Sequence, residues 1–391
     1  MERPRLRKVH RIRERTADGE HIVLYDPLGL SDDVRVDAAA EPILDRFDGT
    51  RTLAQVRQSL LLAGQPAPPL EDLAAFARDL SQAGCLDDAA FADRSARLVA
   101  AFDAAPVRPA VAPGRLLPAE PEATARLLSR VLPPTVPRTR ADSTACALVT
   151  PPGAPDAAGA LLDATCRDLP RAEDLDRVVI LGTDPMPGHE PFSLCPKDYG
   201  TALGSVPLDR DAAARLERAR PVLTREALRH RRADTVELAA TYLAWLYAPK
   251  PPPIVPVLVS RAALERSDAT DALLGTLDAV LSRGRTLYWA SAALSHVGPA
   301  FGNALPAGRA RREDLRTVEA LAHGRSSALR KRTVPSSGAA VLATLLELLP
   351  DAASLAWSRY DQGPPGEATR GVVGRLGARF ARPPFAPTGQ V

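Results

Sequence analysis

The sequence predicts a chain in two parts: an α/β domain with a mostly parallel sheet, preceded by a small winged-helix-like domain. Three observations predict it. From about residue 140 onward, strand-like and helix-like pieces alternate, which is the pattern of a parallel sheet with helices on both faces. The first hundred residues hold three short helical patterns with flanking strands. Between them lies a proline-rich stretch with little periodicity. A length of 391 residues also exceeds what one core usually supports.

In the first segment, residues 1–100, "HIVLYDPLGLS" reads as a strand running into a Pro-Gly turn. "DAAAEPILDRFDGT" reads as a helix stopped at Gly49, with Pro42 near its start, where the missing N–H matters least. "TLAQVRQSLLLAG" places Leu53, Val56 and Leu60 on one helical face behind a Thr52 cap. "LEDLAAFARDLSQAG" does the same with Leu70, Leu73, Phe76 and Leu80, and Gly84 stops it.

Residues 101–138 contain "APVRPAVAPGRLLPAEPE", which reads as an extended linker, with a short helical "EATARLLSRVL". In residues 139–391, "ACALVT", "VVIL", "PIVPVLV" and "RTLYWASAA" read as buried strands. "DAAGALLDATCRDL", "DAAARLERAR", "VELAATYLAWLY", "DALLGTLDAVLS" and "AAVLATLLELL" read as helices.

The apolar fraction of 45% and charged fraction of 25% are those of a soluble globular protein. A net charge of +3 is small for this length and calls for neither nucleic acid nor an acidic membrane. The only lysines are Lys8, Lys197, Lys250 and Lys331; arginine dominates every segment alike, a bias of composition rather than chemistry. Cys85, Cys146, Cys166 and Cys195 are scattered without a CxxC pair, so no zinc pattern follows. Reduced thiols and a cytoplasmic location are expected. There is no secretory h-region and no stretch of transmembrane length; "AAVLATLLELL" is interrupted by Glu347.

Motifs for chemistry are sparse. "GTDPMPG" and "GAPDAAG" have neither GxGxxG spacing nor a Walker lysine. Ser295 in "ALSHVG" is the best serine nucleophile, with His296 beside it, but the GxSxG elbow is absent. A lone histidine in a glycine-bounded loop is more often a structural donor. His189 and Cys195 share a loop without a metal-ligand spacing. Glu237 on the helix "TVELAATYLAWLY", the pair Asp32–Asp33 and the run "REDLRTVE" read as solvated charge. The N-terminal arginines could touch phosphate, yet "LAQVRQSLLLAGQ" offers only Arg57 and two glutamines, so DNA binding is a minority reading.

The strand "VVIL" poses a puzzle. Strand ends in α/β domains are where sites form. Here the residues after Gly182 include Asp184 and then Pro185, which has no side-chain donor, acceptor or ligand.

Residues 139–391 resemble the Memo family, protein B of the AmmeMemoRadiSam system. The pieces that carry the likeness are "ALVTPPGAPDAAG", "VVILGTDP", "KDYGTALGSVPLDRD", "ADTVE", "IVPVLVS", "ASAALSHVGPAFG", "SSGAAVLATLLELLP" and "YDQG" in that order, with "LSHVGPAFG" and "YDQG" the strongest pair. The resemblance implies a fold like that of class III extradiol dioxygenases, which are non-haem iron enzymes. The first segment resembles PqqD-like modules through "HIVLYDPLGLS" and "ILDRFDGTRTLAQV", which implies recruitment of a peptide as an added strand.

Set against the Memo pattern, the site positions are altered. Where the family has PHAG, this chain has Pro151-Pro152-Gly153-Ala154, so Pro152 replaces a histidine. Pro185 replaces the second histidine. The EHSIE-like motif is Ala233-Asp234-Thr235-Val236-Glu237, with Asp234 for the histidine and Glu237 kept. The SxDLSH-like motif is Ser291-Ala292-Ala293-Leu294-Ser295-His296, with Ala293 for the aspartate and His296 kept. The late Cys-Gly is Ser337-Gly338. Of a His, His, Asp, His, Cys set only His296 survives, so the resemblance implies no metal, no cofactor and a pseudoenzyme.

The expected function is therefore binding of a peptide or protein within an AmmeMemoRadiSam-type system, with a radical SAM or AMMECR-type protein as the implied partner and no membrane. The alternative is an enzyme with a relocated site, in which His189, four residues past Pro185, joins His296 and Glu237 or Asp234 for acid–base or metal-dependent redox chemistry. A second alternative is DNA binding through the winged-helix-like segment.

Overall fold

The computed structural model describes residues 3–16, 18–184, 186, 190–332, 336–364 and 371–383. The chain forms two compact units, one of residues 1–104 with 298–304 and 367–370, the other of 105–297, 305–366 and 371–391.

The first unit contains the antiparallel strands β1 (His10–Thr16), β2 (Gly19–Tyr25) and β3 (Val34–Asp37), in that order in the sheet. Helices α1 (Glu41–Leu44), α2 (Leu53–Leu62), α3 (Leu70–Gln82) and α4 (Ala89–Ala104) follow. The Thr52 cap is realised as a full capping box: Gln55 N donates to Thr52 Oγ1, and Thr52 N donates to the Gln55 side chain. Ile22, Leu24, Leu44, Phe47, Val56, Leu60, Leu73 and Leu80 meet in one core. The stretch "DAAAEPILDRFDGT" is only partly helical: a 3₁₀ turn at Ala38–Ala40 and the single turn of α1. Strand β1 was not legible, because its face-to-face alternation is of charge, with mostly exposed residues.

The second unit contains β4 (Val107–Arg108), α5 (Pro121–Val131), β5 (Thr139–Arg140), β6 (Ala145–Thr150), α6 (Gly159–Thr165), β7 (Leu169–Pro170) and β8 (Arg177–Thr183). Then come β9 (Phe192–Leu194), β10 (Asp198–Thr201), β11 (Gly204–Val206), α7 (Arg210–Ala219), α8 (Val222–Arg225) and α9 (Asp234–Leu246). The rest is β12 (Ile254–Val259), α10 (Asp268–Leu281), β13 (Thr286–Ser291), β14 (His296–Val297), α11 (Ala307–Ala322), α12 (Ser326–Arg330), α13 (Ala339–Leu348), β15 (Ser354–Gly363) and β16 (Val372–Ala381).

The main sheet runs β14-β16-β6-β13-β8-β12-β9, with β15 also on β16. Strands β6, β13, β8 and β12 are parallel, and β9, β14, β15 and β16 join antiparallel at the flanks. The central strands are buried on both faces, which explains their unbroken apolar runs. Val179, Leu181, Val255 and Val257 share a core with α7, α10 and α13. On the other face α9 covers the sheet: Tyr242 stacks on Trp289 at 6.5 Å, and Val236 packs against Gly182. This is an α/β fold with helices on both faces.

Residues 105–138 are not a linker. Strand β4 pairs with β10, and Ala112, Leu117, Leu128 and Leu132 are buried. The prolines are accommodated in irregular segments and at the first position of α5. What holds this segment is polar: Arg108, fully buried, forms an ion pair with the fully buried Glu237. The unit boundary falls after Ala104 rather than at residues 100 and 138.

Candidate functional site

Because β6, β13, β8 and β12 are parallel, their C-terminal ends share one edge of the sheet, where α/β domains place their sites. Pro152 lies two residues past β6 and is half-buried. Ala292 N, just past β13, donates to Thr150 O at 3.0 Å and ties the two strand ends together. Ala293 is buried there. Asp234 opens α9, whose next residue Thr235 donates its hydroxyl to Thr183 O of β8 at 3.1 Å. Ser337 is exposed beside Gly338, whose N–H donates to Ala293 O at 2.9 Å. A Cβ on Gly338 would stand 2.4 Å from that carbonyl oxygen, so the close approach admits only glycine. Four of the six positions singled out from the sequence, Pro152, Asp234, Ala293 and Ser337, therefore stand at this strand-end edge or in segments tied to it, and His296 follows in β14. Pro185, the sixth, and His189 lie outside the described residues.

His296 is half-buried in β14, opposite Val373. Its Nδ1 stands 3.1 Å from Leu294 O, and burial pushes its pKa below the ordinary imidazole value, against weaker opposing effects from that carbonyl and from Asp314. Asp234, by contrast, is pushed up by burial, with the charge of Arg115 acting against the shift. Asp184 is nine-tenths buried after β8. Burial raises its pKa to about 6, although Arg229 stands 2.8 Å away and pulls it down. Burial outweighs the attraction of that guanidinium.

Ser295 is fully buried, and its Oγ donates to Asp314 at 2.5 Å while accepting from Arg332 at 2.8 Å. Its backbone N–H also goes to Asp314. The hydroxyl is held by the Asp314 carboxylate and the Arg332 guanidinium, so it is not poised as a nucleophile.

Glu237 corrects the expectation of a solvated face. It is fully buried; besides Arg108, Ala112 N donates to it at 2.8 Å and Val111 N to both of its oxygens. Arg108 in turn donates to His230 O and Ala233 O, and its guanidinium lies 4.5 Å from the Tyr199 ring centroid. His230, fully buried, has Nε2 2.9 Å from Ser193 O, and burial depresses its pKa to about 3. This network positions the start of α9 rather than carrying chemistry. The signal for it was present: past its first residue, Glu237 is the only charged side chain of α9, and a carboxylate buried in a helix calls for a cation.

The four cysteines are buried and free. Burial raises the thiol of Cys146 to about 11 and those of Cys166 and Cys195 to about 12, so none is a reactive thiolate. Among the described residues no group of three or more His, Cys, Asp or Glu side chains is placed to hold a metal ion. The set at these positions keeps one imidazole and one carboxyl, that of Asp234, whose charged form burial disfavours, beside a proline ring, a methyl group and a serine hydroxyl, which is a poor set for a transition metal. In the first unit, Arg5, Arg7, Arg11, Arg13 and Arg15 pair with Asp87, Asp26, Asp45, Glu41 and Glu20, which neutralises the N-terminal cluster. No helix among the described residues is long and apolar enough to cross a membrane.

A family model described as Memo-like protein matches residues 108–367. No curated protein matches the chain. The match covers well over half of the 391 residues and starts at Arg108, the cation that seats the proline-rich segment on α9. Together with the α/β sheet, it establishes that the chain belongs to the Memo-like protein family.

Proposed function

We propose that this chain is a Memo-like protein that has lost metal chemistry and works by binding a peptide or protein. The observation that carries the reading is the replacement of donors at the strand-end edge: Pro152 and Ala293 have no lone pair to offer, and His296 is the one imidazole left among the described positions. A scaffold can outlast its chemistry. The first unit, with its resemblance to PqqD-like modules, would capture the peptide, and the second would dock a partner such as a radical SAM or AMMECR-type protein in the cytoplasm. The relocated-enzyme reading loses one acid, because the carboxylate of Glu237 is taken up by Arg108 and by the Val111 and Ala112 amides. DNA binding is disfavoured by the paired arginines of the first unit.

Restoring the ligands tests the proposal. Pro152→His, Pro185→His, Ala293→Asp and Ser337→Cys installed together should create tight iron, copper or zinc binding absent from the parent chain. Equal metal binding by parent and restored chains would refute it.

A further inference from the structure

A groove of about 800 Å³ lies on the second unit between the helices α5 and α6 and the outermost strand β15. Strand β15 pairs with β16 along one edge, and among the described residues no strand pairs with the other. From Trp357 to Gly363 the register is unbroken, with Trp357 opposite Arg379, Arg359 opposite Gly377 and Asp361 opposite Arg375. Alternation sends Tyr360 to the α11 side, where its hydroxyl donates to Asp314 at 3.1 Å. Trp357 and Arg359 thus face the α6 side. A Cβ on Gly377 would stand 2.3 Å from Thr165 Oγ1, so α6 sits directly on β16 and leaves β15 overhanging. The overhang is the groove floor.

Its charge is unbalanced. Arg130, Arg167, Arg359 and Arg379 line it, against Asp156 and Asp163. Asp163 is shared by Arg138 and Arg167, and Arg379 stands 3.6 Å from Asp168. Arg130 and Arg359 are exposed and have no ion pair among the described residues. The Arg379 guanidinium lies 5.7 Å from the Trp357 ring centroid.

We propose that an extended acidic segment of a partner polypeptide adds as a strand to the free edge of β15, with alternate carboxylates on Arg130 and Arg359. An unpaired strand edge offers alternating N–H and C=O groups that another backbone matches and a phosphodiester chain does not. Side chains two apart on the added strand fall on one face, roughly 7 Å apart, and enter the groove. Arginine forks hold carboxylates in two-point contacts. Charges also guard free edges against self-association, but that role alone gives no preference for acidic peptides. The inference is independent of whether the strand-end cleft holds a metal.

The test uses the full chain and a fluorescein-labelled Glu-Val-Glu-Val-Glu-Val-Glu peptide, with a Lys-Val analogue and oligothymidylate as comparisons. Anisotropy should report binding of the acidic peptide that weakens by about tenfold or more as salt is raised. Arg130→Glu with Arg359→Glu should abolish it and confer binding of the lysine peptide, which shows that the variant is folded. Hydrogen exchange should slow in Ser354–Gly363 on binding. Absence of binding at low salt, indifference to the charge reversal, unchanged exchange in β15, or equally tight oligothymidylate binding with the same loss would each overturn the proposal.

Discussion

Arg108 and Glu237, 129 residues apart in sequence, form an ion pair in which both side chains are fully excluded from solvent. The pair fastens the proline-rich segment to the first turns of α9, and through Thr235 to the end of β8. Removing one partner strands a buried charge and typically costs about 3–5 kcal/mol. Arg108→Met and Glu237→Leu should each destabilise the second unit on this scale, while the double variant loses less than the two together. A double-mutant cycle from urea denaturation measures the coupling.

The same pair decides where the folding unit begins. A fragment of residues 105–391 should unfold cooperatively, and one of residues 139–391 should not, since it lacks Arg108 and the buried Ala112, Leu117, Leu128 and Leu132. Thermal unfolding followed by circular dichroism and near-ultraviolet signal separates the two outcomes.

Asp184 gives a pH signature. With its pKa raised to about 6, it binds a proton more tightly folded than unfolded. Its contribution to stability is therefore gained as pH falls from about 6 toward the ordinary carboxylate value near 3.9, and is lost as pH rises through about 6. His230 acts in the opposite sense: its pKa near 3 lies below the unfolded value, so its contribution is lost as pH falls below about 6.5. The difference between the natural chain and Asp184→Asn isolates the first. The substitution should stabilise the protein above pH 6 and flatten its pH dependence between about 4 and 6.

Ser295 should resist serine-directed reagents. Its hydroxyl is fully buried and bound to Asp314, which also accepts from Arg332 and the Tyr360 hydroxyl. A fluorophosphonate probe should leave it unlabelled in the folded chain. Asp314→Ala should cost about 3–5 kcal/mol, because it leaves Arg332 buried without its carboxylate.

The sequence made the central strands and most long helices legible because each is a continuous apolar or periodic run; "VVIL", "IVPVLV" and "VELAATYLAWLY" fall in β8, β12 and α9. It concealed elements held by polar or cross-chain contacts. β4 is two residues long and anchored by Arg108, while β15 carries charge on an exposed edge and so resembles a loop. The positions at the strand ends were legible only through the family resemblance, since prolines and alanines send no chemical signal. The environment of Ser295 was not legible, because Asp314 reaches it from a helix 19 residues on.

The central claim, that the strand-end cleft holds no metal, is tested most directly by the metal content of the purified full-length chain, read by inductively coupled plasma mass spectrometry after exposure to iron, copper and zinc and removal of loosely bound ions. The account predicts substoichiometric metal, unaffected by His296→Ala. A stoichiometric transition metal that disappears in His296→Ala, and that scatters anomalously beside His296 in crystals, would contradict it.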